Sequence, residues 1–96
     1  MPLPWRTAWI TGASSGIGRE LALSLARQGV IVAASARSHD GLASLSVEDG
    51  RIRVYAVDVT DRAGVADAHK RIAADLGGID LAVLNAGVWH PMKATA

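Results

Sequence analysis

Cysteine is absent from the 96 residues. That excludes a disulfide scaffold and any thiolate metal site, and it fits a cytoplasmic protein. Phenylalanine is absent too, and the aromatic complement is three Trp and one Tyr. The core is therefore expected to be aliphatic, a bias that suits a parallel sheet covered by helices. Neither sign of charge is in excess: ten Lys and Arg stand against nine Asp and Glu, for a net charge of +1. These charges are dispersed, which argues against nucleic acid or a membrane surface as partner. No apolar run is long enough to span a bilayer, and Met1–Arg6 lacks the pattern of a signal peptide. The three histidines are scattered, so no metal site is expected. What is abundant is hydrophobic residues, half of the chain, too many for disorder.

Those residues alternate between short β-rich runs and helical patterns. Trp5 to Thr11 reads as a first strand. Ile17, Leu21 and Leu25 then recur at helical spacing, and Gly29 ends that helix as the residue after its cap. Val30 to Ala34 is a second, buried strand. Ser38 caps a short helix through Leu42 and Leu45, which Gly41 should weaken by roughly 1 kcal/mol relative to Ala. After a turn at Glu48-Asp49-Gly50, Ile52 to Val57 is a third strand. A helix starting at Thr60 or Asp61 carries the stripe Val65, Ala68, Ile72 and Leu76, and stops at Gly77-Gly78. Ile79 to Leu84 is a fourth strand, followed by a loop at Asn85-Ala86-Gly87.

Alternation with short loops gives parallel βαβ units. Right-handed crossovers place the strands in the order 3-2-1-4. The fold class is thus α/β, a Rossmann-type parallel sheet with flanking helices that stops after its fourth strand. Two helices should lie on one face and the third almost alone on the other.

Thr11 to Gly18, T-G-A-S-S-G-I-G, lies between the first strand and the first helix. Glycines there let the chain turn sharply, let backbone approach a pyrophosphate and let the helix pack close to the sheet. The helix start offers free N–H groups and a positive dipole end, and Ser14 and Ser15 add hydroxyls. A P-loop is excluded, because Gly18 is followed by Arg19-Glu20 and not by Lys.

This loop resembles the T-G-x-x-x-G-x-G motif of the short-chain dehydrogenase/reductase family. Asp58-Val59 and Asn85-Ala86-Gly87 match two further family motifs in order and spacing. The resemblance runs from Thr7 to about Val88 and implies a nicotinamide dinucleotide cofactor. It also implies hydride transfer to or from an alcohol or carbonyl, and a homo-oligomer for the full-length protein. It implies that Gly12, Ser14, Ser15, Gly16, Ile17 and Gly18 cradle the pyrophosphate, that Asp58 and Val59 read the adenine, and that Asn85, Ala86 and Gly87 lie along a ribose. Leu84 stands where most relatives have a second Asn.

The residues themselves favour NADP over NAD. A carboxylate at the tip of the second strand would bond the ribose 2′-OH of NAD. The tip here is Ser35-Ala36-Arg37, with Ala36 where NAD-preferring members of the family have Asp. A guanidinium at Arg37 can pair with a 2′-phosphate in bidentate fashion.

No catalytic residue is located. The family's Tyr-x-x-x-Lys is missing: the only Tyr is Tyr55, with Val59 four positions on, and the only lysines are Lys70 and Lys93. Residues 1–96 are therefore expected to be the N-terminal, cofactor-binding part of one NAD(P)-binding domain, the N-terminal part of an enzyme. A non-catalytic dinucleotide-binding module or a remnant is the alternative.

Overall fold

The computed structural model describes residues 4–14, 16–37 and 40–83. It contains strand β1 (Thr7–Thr11), helix α1 (Gly16–Arg27), β2 (Ile31–Ala36), α2 (Asp40–Glu48), β3 (Ile52–Ala56), α3 (Arg62–Leu76) and β4 (Leu81–Val83). All strand pairs are parallel, and the order is β3-β2-β1-β4, the expected half of a doubly wound sheet.

Burial follows from that order. All five residues of β1 are buried, because a central strand is covered on both faces and both edges. Only two of the five residues of β3 are fully buried, since it is a sheet edge. On one face, Ala8, Ile10, Val32, Ala34 and Ile52 pack beneath Ala22, Leu23, Leu25 and Ala26 of α1 and Leu42 and Leu45 of α2. On the other, Trp9, Ala33, Tyr55 and Val57 pack beneath Ala68 and Ile72 of α3. Two helices on one face and one on the other is the distribution that the crossover rule gives.

Several boundaries move, each for a local reason. Ile17 does not belong to the core stripe of α1. It is 82% exposed, and the buried positions of the helix begin at Gly18. Helix α2 runs through Glu48, and the turn that follows is held by Asp49, whose side chain accepts from the Arg51 N–H. The core is not purely aliphatic, since Trp9 and Tyr55 are both buried. β4 begins at Leu81, two residues later than expected, because Asp80 is used as a clasp. Its Oδ2 accepts from the N–H groups of Arg6 (2.8 Å) and Thr7 (3.3 Å). Thr7 Oγ1 in turn donates to the Gly78 carbonyl and accepts from the Asp80 N–H, both at 3.0 Å. This clasp fixes the start of β4 against the start of β1.

Helix α3 is closed at both ends as its sequence suggests. Asp61 is the N-cap, accepting from Gly64 N, and Gly77 ends the helix at φ 79°. One side chain on this face gives the fold a pH dependence. The Tyr55 hydroxyl donates to Asp75 Oδ2 at 2.7 Å. Burial, with the Asp75 bond and charge, pushes its pKa up to about 12, against about 10 in an unfolded chain. A raised folded pKa favours the protonated form, so its stabilisation is complete below pH 10 and is lost as pH rises through about 12. Urea midpoints should therefore fall between those values, and Tyr55→Phe should flatten that part of the slope.

Candidate functional site: the carboxyl edge of the sheet

Parallel strands bring all their carboxyl ends to one edge, which is where ligands sit in open α/β sheets. The register aligns Thr11 with Ser35 and Ala36 with Ala56. The segments leaving β1, β2 and β3 at that edge are the glycine loop, Arg37 and Asp58-Val59. Chain order alone thus gathers eight of the twelve sequence-selected site residues: Gly12, Ser14, Gly16, Ile17, Gly18, Arg37, Asp58 and Val59. Ser15, Asn85, Ala86 and Gly87 lie outside the described residues.

The loop has the backbone that its glycines permit. Gly12 and Gly16 hold φ values of 65° and 62°, left-handed angles that cost other residues roughly 1–2 kcal/mol. A Cβ added at Gly16 would meet nothing within 4 Å. That glycine therefore serves the conformation and leaves free space on its outer side. Ile17 stands exposed beside it, Gly18 is buried against the sheet, and no acidic residue occupies the first turn of α1. The first N–H groups of a helix have no intrahelical partner. A dianionic group fits a cradle of this kind, with a positive dipole end and no competing carboxylate. Arg19, one residue on, pairs with Glu48 at the end of α2 and ties the two helices together.

Two contacts anchor the loop that composition did not reveal. The Ala13 N–H donates to the Ser35 carbonyl at 2.9 Å, joining the loop to the end of β2. Ser35 is itself fully buried, and its Oγ accepts from Trp9 Nε1 at 2.9 Å. The signal in the sequence was a lone Ser in an otherwise apolar strand, which needs a partner once buried. Thr11 Oγ1 reaches the Val83 carbonyl at 3.4 Å, tying the last turn of β1 to the end of β4.

Across the edge, Val57 N–H donates to the Ala36 carbonyl at 2.9 Å, which sets the tip of β3 beside the tip of β2. Asp58 is fully exposed, and its Oδ1 accepts from both the N–H (2.9 Å) and the hydroxyl (2.7 Å) of Thr60. These two bonds, aided by the charge of Arg37, hold its carboxyl below the ordinary carboxylate range. Asp58 is thus ionised at neutral pH, within electrostatic reach of Arg37, and both Thr60 bonds fall on one of its two oxygens. It does not cap α3, which Asp61 does. Val59 beside it is 43% exposed, an apolar surface at the mouth of the site. Among the described residues no group of three His, Asp or Glu could hold a metal ion, and no helix is long and apolar enough to cross a membrane.

Against known proteins, the model of the family described as short chain dehydrogenase matches residues 6–96. This chain belongs to the short-chain dehydrogenase family. It is similar to a family member of known structure from Mycobacterium marinum, a short-chain type dehydrogenase/reductase, at a TM-score of 0.84 and 39% identity over 93% of this chain and 38% of that one. It is 42% identical over 93 residues to a glycine betaine reductase from Emericella nidulans, matching 93% of this chain and 7% of that protein. It is 39% identical over 83 residues to 2-dehydro-3-deoxy-L-rhamnonate dehydrogenase (NAD(+)) from a Sphingomonas species, matching 86% of this chain and 33% of that protein. The chain thus spans about a third, or much less, of the curated relatives just compared. Membership makes it part of an oxidoreductase family that uses a nicotinamide dinucleotide.

Proposed function

We propose that these residues form the NADP-binding half of a short-chain dehydrogenase/reductase that acts on an alcohol or carbonyl. The observation that carries this reading is Arg37 at the tip of β2, following Ala36, with the glycine cradle on one side and Asp58 on the other. A bound nicotinamide supplies or accepts the hydride. The chain's own residues bind and orient. Gly12, Gly16 and Gly18 bring backbone N–H groups to the pyrophosphate, and Ser14 and Ser15 add hydroxyl donors. Ile17 packs on the dinucleotide from its exposed position. Arg37 pairs with the 2′-phosphate. Asp58 accepts from the adenine amino group through the oxygen that Thr60 leaves free, and Val59 covers the ring. Asn85, Ala86 and Gly87 border the ribose. No Tyr-x-x-x-Lys lies within the 96 residues, so the proton chemistry and the substrate pocket are assigned to other parts of the whole enzyme, read as a homo-oligomer by its family.

One relative carries NAD(+) in its name, so cofactor choice must be made by local residues, and the tip of β2 is where the 2′ position is read. Titration with NADP+ and NAD+ should give tighter binding of NADP+. Removing a charge-assisted pair costs about 1.5–3 kcal/mol, roughly ten- to a hundredfold. The double change Ala36→Asp with Arg37→Ala should weaken NADP+ by that factor and strengthen NAD+. Equal affinities for both cofactors in the parent and the variant would remove Arg37 from the site.

A further inference from the structure

The backbone of Asp58 is held on both sides. Val57 N–H donates to the Ala36 carbonyl at 2.9 Å, and Asp61 N–H donates to the Asp58 carbonyl at 3.0 Å. Those bonds leave the side chain open. A fully exposed carboxylate moves among its staggered positions unless something holds it. Thr60 holds it with two donors on one oxygen. Its N–H reaches Asp58 Oδ1 at 2.9 Å and its hydroxyl reaches the same atom at 2.7 Å. Both bonds are charge-assisted, the strong class. Two donors saturate the lone pairs of Oδ1, so a further donor is directed to Oδ2.

The fold around Thr60 does not depend on its hydroxyl. Thr60 is exposed, and α3 is capped by Asp61, whose side chain accepts from Gly64 N–H at 3.1 Å. The hydroxyl thus serves the Asp58 carboxylate and not the helix.

We infer that Thr60 is a positioning residue for purine choice: by fixing Asp58 it makes the site accept a 6-aminopurine and refuse a 6-oxopurine. This rests on the adenine role given to Asp58 in the NADP reading above. It extends that reading to a residue that touches no ligand and to a class of base that the site turns away. Adenine carries an amino donor at C6, which an ionised carboxylate accepts. Hypoxanthine carries a carbonyl there and a donor at the neighbouring N1. A carboxylate fixed in the amino-accepting pose meets that carbonyl acceptor to acceptor. A site built around one hydrogen bond rejects a partner that lacks it. A carboxylate free to turn can follow the donor from the C6 substituent to N1. Losing the hydroxyl therefore costs selectivity more than affinity.

The test compares NADP+ with its hypoxanthine analogue, which differs only in the base. Both are titrated by calorimetry into the parent, Thr60→Val, Thr60→Ser and Asp58→Asn. Valine keeps the branched shape and the backbone N–H and replaces only the hydroxyl. The parent should prefer NADP+ about tenfold or more, the worth of one charge-assisted bond. In Thr60→Val the preference should fall to about threefold or less, with the analogue bound at least as well as by the parent. Thr60→Ser keeps the hydroxyl, so its preference should stay within about twofold of the parent. Asp58→Asn, whose amide donates as well as accepts, should lose the preference. Thermal unfolding checks the fold, and the melting temperature of the Thr60 variants should move by no more than about 3 °C. An undiminished preference in Thr60→Val, or a loss that Thr60→Ser shares, overturns the inference and leaves the NADP reading standing. Equal affinity of the parent for both ligands, or a preference that Asp58→Asn retains, takes the adenine away from Asp58 and the inference with it. Failure of the parent to bind either ligand overturns the NADP reading and the inference together.

Discussion

Gly16→Val should all but abolish dinucleotide binding while leaving a folded protein. Gly16 holds φ at 62°, where a β-branched residue is a genuine outlier. That backbone penalty is about 1–2 kcal/mol. A Cβ at this position meets nothing within 4 Å, so the first atom of the new side chain adds no clash with the fold. The fold should therefore survive with a modest fall in its urea midpoint. The ligand should not be tolerated in the same way. The free space outside Gly16 is where backbone must come within hydrogen-bond distance of a phosphate. A branched side chain there, or a loop relaxed to negative φ, separates the N–H groups from the anion. Two charge-assisted bonds at about 1.5–3 kcal/mol each correspond to a loss above a hundredfold. Calorimetric titration with NADPH reads the affinity, and urea unfolding reads the fold. Gly16→Ala should fall between parent and valine. Binding of NADPH by the valine variant within threefold of the parent would take the pyrophosphate away from this loop.

Much of this edge was legible before any coordinates. The run Trp5 to Thr11, cut by glycine, located β1, and alternation with helical stripes fixed the order β3-β2-β1-β4. These signals are local: a period and a stop. The glycine loop, Arg37 and Asp58 follow from them, because parallel strands must deliver their ends to the same edge. What escaped was whatever depends on a partner far along the chain. Periodicity puts Ile17 on the apolar side of α1, yet it stands 82% exposed. Gly41 reads as a weak point until Ser14 is seen against it. Asp80 reads as one polar residue in an apolar run, and it is a clasp for the N–H groups of Arg6 and Thr7, more than seventy positions away. A one-dimensional pattern says which residues share a face. It does not say what occupies the space opposite.

Trp9 is the sharpest case, and it carries the largest expected effect on stability. Scarce aromatics pointed to an aliphatic core, but Trp9 lies in the central strand at 3% exposure, packed with Ala33, Tyr55, Val57, Ala68 and Ile72. Its ring meets that of His69 at 6.1 Å between centroids, inclined at 54°. Trp9→Ala should cost about 3–5 kcal/mol. A domain of this length has only roughly 5–14 kcal/mol in all, so the variant should retain little margin. The lower end of the range is favoured, because Trp9 also borders an open trough of about 500 Å³ alongside Val65 and His69, and a vacated site next to open space is partly filled by water or by its neighbours. With urea slopes of about 1–3 kcal/mol per molar, the midpoint should fall by about 1 M or more. The hydrogen bond is separable from the packing. Trp9→Phe keeps most of the apolar contact and leaves Ser35 Oγ without its donor, so it should cost less than Trp9→Ala. A cycle of Trp9→Phe, Ser35→Ala and the double variant should give a coupling of about 1 kcal/mol. The same three proteins report on function, because the Ser35 carbonyl is what the loop's Ala13 N–H binds. Loss of the indole should loosen the tip of β2 and weaken NADPH as well as lower the midpoint. A Trp9→Ala protein within 1 kcal/mol of the parent would mean that the α3 face contributes little to holding the sheet together.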